Sequence, residues 1–139
     1  MSPYTYRTVV TIGDTNCFQN VYFLNYFRIS AVVRELWVRD CVRDFDQHLK
    51  GGLLLITGSA ACNFLKDFFV FDPIRCELTM QKLRRASVDL VFRYFHEGTN
   101  ELHAEGRQKI VFADHTHKIC AMPEDFRVAA QAIEEADTE

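Results

Sequence analysis

The chain has 139 residues, 48% of them hydrophobic and 25% charged, which fits one soluble globular domain with a core of its own. A formal net charge of -3 and a pI near 5.9, with no run of Lys or Arg, exclude the electrostatic footprint of a nucleic-acid binder or a membrane-surface protein. Five widely spaced cysteines without a C-x-x-C pair argue against a disulfide framework and a zinc site, and no stretch resembles a membrane span or a signal peptide, so a reducing, cytoplasmic location is expected.

Tyr4 to Ile12 alternates with a period near two and is rich in β-branched and aromatic residues, which predicts a strand that ends at Gly13-Asp14-Thr15-Asn16. From about Tyr22 to Arg43 there is neither Gly nor Pro, and Asn20 stands just ahead as a candidate N-cap for a helix of ~33 Å. On a helical wheel Asn25, Arg28, Glu35, Arg39 and Arg43 gather on one narrow side. Apolar residues cover the remainder, so other structure is expected to surround this helix. Arg34 falls near the middle of that apolar arc, beside Phe23, Phe27 and Cys41.

A polar stretch through Asp44, His48 and Lys50 leads to Gly51-Gly52 and a strand candidate from Leu53 to Leu65, with Gly58 as the site of a bulge. Asp72-Pro73 marks a turn. Ile74 to Arg84 and Ser87 to His96 alternate as two strands, each with a wetter face, and Glu97-Gly98-Thr99-Asn100 reads as the turn into a last long strand, Glu101 to Asp114. Pro123 opens a short helix with acidic residues in its first turn. Strand, long helix, four strands and a terminal helix predict an α+β domain over residues 1–139, with an antiparallel sheet curled around a central helix. One sheet around one helix leaves an open edge, which pairing of two protomers would cover.

Gly13-Asp14-Thr15-Asn16 followed by Asn20-Val21-Tyr22-Phe23-Leu24-Asn25-Tyr26 resembles the signature of hotdog-fold acyl thioesterases of the 4-hydroxybenzoyl-CoA thioesterase type, a G-D-x-D turn leading into V-Y-x-x-N-Y. Asn16 in place of the second Asp, Gln19-Asn20 in place of Gly-His, and Arg34 in the helix are similar to the thioesterases of enediyne polyketide biosynthesis. The resemblance implies hydrolysis of a polyene β-ketoacyl thioester carried by the acyl carrier protein of an iterative polyketide synthase. It also implies release of a β-keto acid, often followed by loss of carbon dioxide, with no cofactor or metal. An acyl-CoA thioesterase of primary metabolism and a non-catalytic acyl-binding protein of the same fold are the alternatives. A homo-oligomer, a dimer of dimers, is expected.

The resemblance also distributes roles. An amide does not titrate, so Asn16 would position water or thioester by hydrogen bonding, the alternative being a plain turn residue. Arg34 stays charged when buried and could stabilise an oxyanion, or it could form a structural ion pair with Glu35 or another carboxylate. By motif position the backbone amide of Phe23 would polarise the thioester carbonyl, and Tyr26 would either reach the same site or pack locally. Asn16 and Arg34 are read together as one site, the arginine supplying the field that an amide cannot.

Phe64, Phe68 and Phe69 could line an acyl channel or fill the core. Lys82, Arg84 and Arg85 could meet an acidic carrier protein or form a solvated turn. Cys17 lacks a histidine or charged partner to activate it, and His115-Thr116-His117 alone is a weak metal signal.

Overall fold

Strand β1 (Tyr4–Val9) opens the fold, and Ile12–Asp14 turns the chain through a short 3-10 segment. Helix α1 (Leu24–Cys41) and the short helix α2 (Phe45–Lys50) come next. Strands β2 (Leu54–Phe64), β3 (Pro73–Gln81), β4 (Ser87–His96) and β5 (Leu102–Ala113) and helix α3 (Glu124–Gln131) complete the order. The computed structural model describes residues 2–138. The strands form one antiparallel sheet in the order β1-β3-β4-β5-β2. This is the hotdog arrangement of the α+β class, a sheet folded over a central helix.

Alternation decides which side chains meet α1. Cys76, Leu78 and Met80 of β3, Leu90, Phe92 and Tyr94 of β4, and Ala104, Ile110 and Phe112 of β5 are all buried against it. The helix answers with Tyr26, Ile29, Val33 and Trp37. Below them Phe126 of α3 stands edge-on to both Trp37 and Phe112, at centroid distances of 5.0 and 4.8 Å. Rings of this size each contribute roughly 2–3 kcal/mol by burial, so the terminal helix is part of the core.

Five expectations need correction. Helix α1 is shorter than Tyr22–Arg43, and Asn20 does not cap it. Asn20 is drawn into a bridge with Phe69 while its carbonyl accepts from the Asn16 amide (3.0 Å), which leaves Phe23 at the N-cap with no side-chain cap. The polar stretch after the helix contains α2. Nor is α1 enclosed all round: Leu24 and Ala31 are exposed and Phe27 and Val38 only half-buried, because β2 lies at the sheet edge and covers little. The first strand ends at Val9, before Ile12. The bulge expected at Gly58 is present, as a register shift between Thr57 and Ser59 in the pairing of β2 with β5.

Residues 133–138 reach the other side of the sheet. Ile133 and Glu135 exchange backbone hydrogen bonds with Met80, so this segment runs parallel to β3 just past the stretch that β1 pairs. The Glu135 carboxylate accepts from Arg93 Nη1 (2.9 Å), Gln81 Nε2 (3.1 Å) and the Thr79 hydroxyl. Burial alone would raise its pKa, but these donors and the Arg93 charge outweigh burial and hold it below the usual carboxylate range. Beneath this polar layer Val91 and Gln81 are fully buried.

Candidate active site

Asp14 builds the turn before α1. Its Oδ2 accepts from the backbone and hydroxyl of Thr11 (both 2.9 Å), its Oδ1 from Arg28 Nη2 (3.0 Å). Its carbonyl accepts from the Tyr22 amide (2.9 Å) and Asn25 Nδ2 (2.8 Å). Burial works against the carboxylate, yet the Thr11 donors and the Arg28 guanidinium hold Asp14 below the usual range. Two polar residues of the helix's first turns are thereby used to fasten the turn to the helix.

Asn16 sits inside that turn. Its Oδ1 accepts from the Phe18 amide (2.8 Å), an Asx turn, and its own carbonyl accepts from the Gln19 amide (2.9 Å). This leaves Nδ2 without an acceptor among the described residues, available as a donor. The Phe23 amide at the helix start likewise has no acceptor among the described residues, and the Phe23 ring is half-exposed. Both donors belong to the segment that leads into α1, in which the rings of Phe18 and Tyr22 are exposed.

Tyr26 lies in the core instead. Its hydroxyl is buried beside the Phe68 backbone, its carbonyl accepts from the Tyr94 hydroxyl at 2.6 Å, and burial pushes the Tyr26 pKa up to about 12. Phe68 is fully buried against His96 and His103, whereas Phe64 and Phe69 keep about half of their surface open to solvent.

Arg34 is half-buried on the flank of α1 that faces β2. Nη1 donates to Thr57 Oγ1 and to Gln108 Oε1, both at 2.9 Å. Gln108 Nε2 donates in turn to Ser30 Oγ at 2.7 Å, and Ser30 donates to the Phe27 carbonyl at 2.8 Å. Burial lowers the guanidinium's pKa and the neighbouring Glu35 offsets part of this, yet no carboxylate among the described residues pairs with Arg34. In place of the alternative ion pair, neutral oxygens hold the cation without cancelling its charge.

Asn16 and Arg34 do not meet within one chain. Phe23 and Arg34 are eleven residues apart on α1, about 16 Å along its axis and three turns on, on nearly the same side. That separation exceeds an arginine's reach, and this guanidinium is tied to Thr57 and Gln108. Arg34 opens instead on a cavity of 780 Å³ between the second half of α1, α2 and the start of β2, walled by Val38, Val42, Phe45, Leu49 and Leu53. Phe64, Phe68 and Phe69 are outside it.

Among the other candidates, Cys17 is exposed and unpaired, and His115 and His117 stand in an exposed turn capped by Asp114. No group of three metal-ligating side chains occurs among the described residues, and no described helix is long and apolar enough to cross a membrane. Arg84 is shared with Asp89 (3.2 Å) and borders a groove of 250 Å³ together with Arg107 and Lys109. Lys82 is fixed by an Asp137 contact to its amide, and Arg85 is exposed. Sequence reasoning missed Ser30, Thr57 and Gln108. Gln108 was detectable as an amide at an inward position of β5 between Gly106 and Ile110.

The family described as the thioesterase-like superfamily matches residues 10–130. No curated protein sequence matches the chain. Among solved structures it is similar to the dynemicin thioesterase, whose crystal structures describe polyene binding, with 25% identity, 97% of this chain and 99% of the other covered, and a TM-score of 0.89. It is also similar to a 1,4-dihydroxy-2-naphthoyl-CoA thioesterase from Synechocystis (18% identity, 92% and 95% covered, TM-score 0.84). A gentisyl-coenzyme A thioesterase matches at 19% identity, with 88% and 98% covered and a TM-score of 0.78.

Proposed function

Because the chain belongs to the thioesterase-like superfamily and is a thioester hydrolase, we propose that its substrate is a polyene β-ketoacyl chain carried on the acyl carrier protein of an iterative enediyne polyketide synthase. Water adds to the thioester carbonyl, the C–S bond breaks, the sulfur leaves as the carrier's thiol, and a β-keto acid is released that can then lose carbon dioxide. The Phe23 amide receives the developing oxyanion, Asn16 Nδ2 orients water or thioester, and Arg34 supplies positive charge without proton transfer. Neither a cofactor nor a metal takes part.

The observation that carries the reading is a half-buried guanidinium held by neutral groups, with no carboxylate bonded to it, beside a large and mostly apolar cavity whose rim also carries Glu35, Asp44 and Asp46. A cation so placed favours a site where negative charge develops, and the cavity walls suit a long conjugated chain. Phe64 and Phe69 offer further apolar surface to that chain. The basic groove of Arg84, Arg107 and Lys109 suits the acidic face of a carrier protein.

The helix spacing supports a homo-oligomer as the form that completes the site. Two copies with antiparallel α1 helices, related by an axis near Arg28, would bring Arg34 of one beside the Phe23 amide of the other. The exposed edge of β2, with Ile56 and Phe64 on its faces, is the surface such pairing would cover, and a dimer of dimers is the assembly we propose. Matched acyl-carrier and acyl-CoA substrates test the assignment. We expect the carrier-bound polyene thioester to be turned over with the higher kcat/KM, and equal or better use of acyl-CoA would overturn it.

A further inference from the structure

We infer that Gln108 is a positioning residue for Arg34, and that its amide, chosen over a carboxylate, keeps the guanidinium both fixed and fully charged. The inference rests on the catalytic reading of Arg34 and deepens it.

The argument is one of direction. An arginine can only donate, so the Gln108 atom facing it must be the carbonyl Oε1, as observed at 2.9 Å. The other end of the same amide must then be Nε2, a donor that needs an acceptor. Ser30 Oγ is that acceptor at 2.7 Å, and it is free to accept because its own proton is directed to the Phe27 carbonyl at 2.8 Å. The Tyr94 hydroxyl, which lies beside Ser30, is committed to the Tyr26 carbonyl at 2.6 Å and does not compete for Gln108. Every donor in the row Arg34, Gln108, Ser30, Phe27 therefore points the same way, and flipping the amide would set donor against donor at the Arg34 end and carbonyl oxygen against hydroxyl oxygen at the Ser30 end.

Burial gives the row its strength. Gln108 is 7% exposed and Ser30 2%, so an amide left unpaired there would be costly and the arrangement has one low-energy state. Thr57 at the bulged edge strand closes the other side of Arg34 Nη1 at 2.9 Å. With Nη1 thus occupied, Nε and Nη2 have no acceptor among the described residues and remain for a reacting group. A glutamate at position 108 would still accept from Arg34, but it would cancel the charge and lose the donor to Ser30. The amide keeps the charge and both hydrogen bonds.

Four variants test this: Gln108→Glu, Gln108→Met, Ser30→Ala and Arg34→Ala, each assayed by thiol release from palmitoyl-CoA and checked for folding by thermal melting. We expect Gln108→Glu and Gln108→Met to lower kcat by about tenfold or more with KM within about threefold, and to change kcat by less than about twofold when placed on Arg34→Ala. Gln108 variants that fold and keep wild-type kcat, or that lose as much again without Arg34, overturn the inference while leaving the arginine's role standing. Wild-type kcat in Arg34→Ala removes instead the reading on which it rests. Should both Gln108 variants fail to fold, Ser30→Ala decides. A kcat loss of about threefold or more at unchanged KM supports the inference, and full activity overturns it.

Discussion

Arg34 and Gln108, 74 residues apart in sequence, share a 2.9 Å hydrogen bond in which a half-buried cation is held by an uncharged amide. A protein using the arginine only for structure would gain more from a carboxylate partner, because an unpaired buried charge costs stability. We therefore predict that Arg34→Ala lowers kcat on a long-chain acyl thioester by about a hundredfold while the melting temperature stays within a few degrees of wild type or rises. A steep fall in melting temperature together with unchanged kcat would assign the residue a structural role.

Asn16 cannot titrate, whereas its Oδ1 bond to the Phe18 amide needs only an acceptor. Asn16→Asp should thus fold normally and acquire an acidic limb in its pH–kcat profile that the wild-type profile lacks. Profiles of identical shape would mean that residue 16 stays outside the reacting site.

The rise of α1 makes Asn16→Ala and Arg34→Ala complementary. Each homo-oligomer should be nearly inactive, and mixed oligomers formed by co-expression should regain about a quarter of wild-type activity, since each half of a two-fold pair supplies one lesion. Mixtures with no gain over the single variants would place both residues in one chain's site, against the helix geometry.

Tyr26→Phe removes a hydroxyl buried in the core beside the Phe68 backbone. Losing that polar contact should cost about 1–2 kcal/mol, seen as a melting temperature lower by a few degrees, with kcat changed by less than about threefold. A large kcat loss at unchanged stability would restore Tyr26 to the chemistry.

Asp14 ties acid stability to the turn. Its folded pKa lies below the ordinary value, so its contribution is complete above that value, 3.8, and is lost as pH falls through the lower folded one. Urea melts should show Asp14→Asn less stable than wild type at neutral pH by about 2 kcal/mol, with the difference shrinking as pH drops below 3.8. A difference independent of pH would remove the carboxylate's charge from the account.

Much of this was legible in the sequence for reasons that can be named. β3 and β4 were recognised because inward and outward residues alternate along them, and Arg34 because a charge in an apolar arc breaks a periodic pattern. Helix α2 is six residues of mixed polarity, too short for a 3.6-residue period to declare itself. Gln108 broke the alternation of β5 in plain view, but a strand's own pattern does not say which helix residue faces it. The pairing of Asn16 with Arg34 takes a second copy to complete, because the 1.5 Å rise of α1 sets Phe23, at the helix start, three turns from Arg34. Asn20 misled because a bridge to Phe69 overrode its local capping preference.

The segment from Ile133 to Thr138 sets an order on folding. Its hydrogen bonds reach back to Thr79, Met80, Gln81 and Arg107, closures spanning 53 or more residues for the first three. These late, non-local contacts form only after a growing chain has delivered nearly all of its sheet, so until then the face over Val91 stays open to water and to other chains. Shortening that tail should therefore show itself first as slower maturation and aggregation during synthesis, before any change in the chemistry at the far face of the sheet.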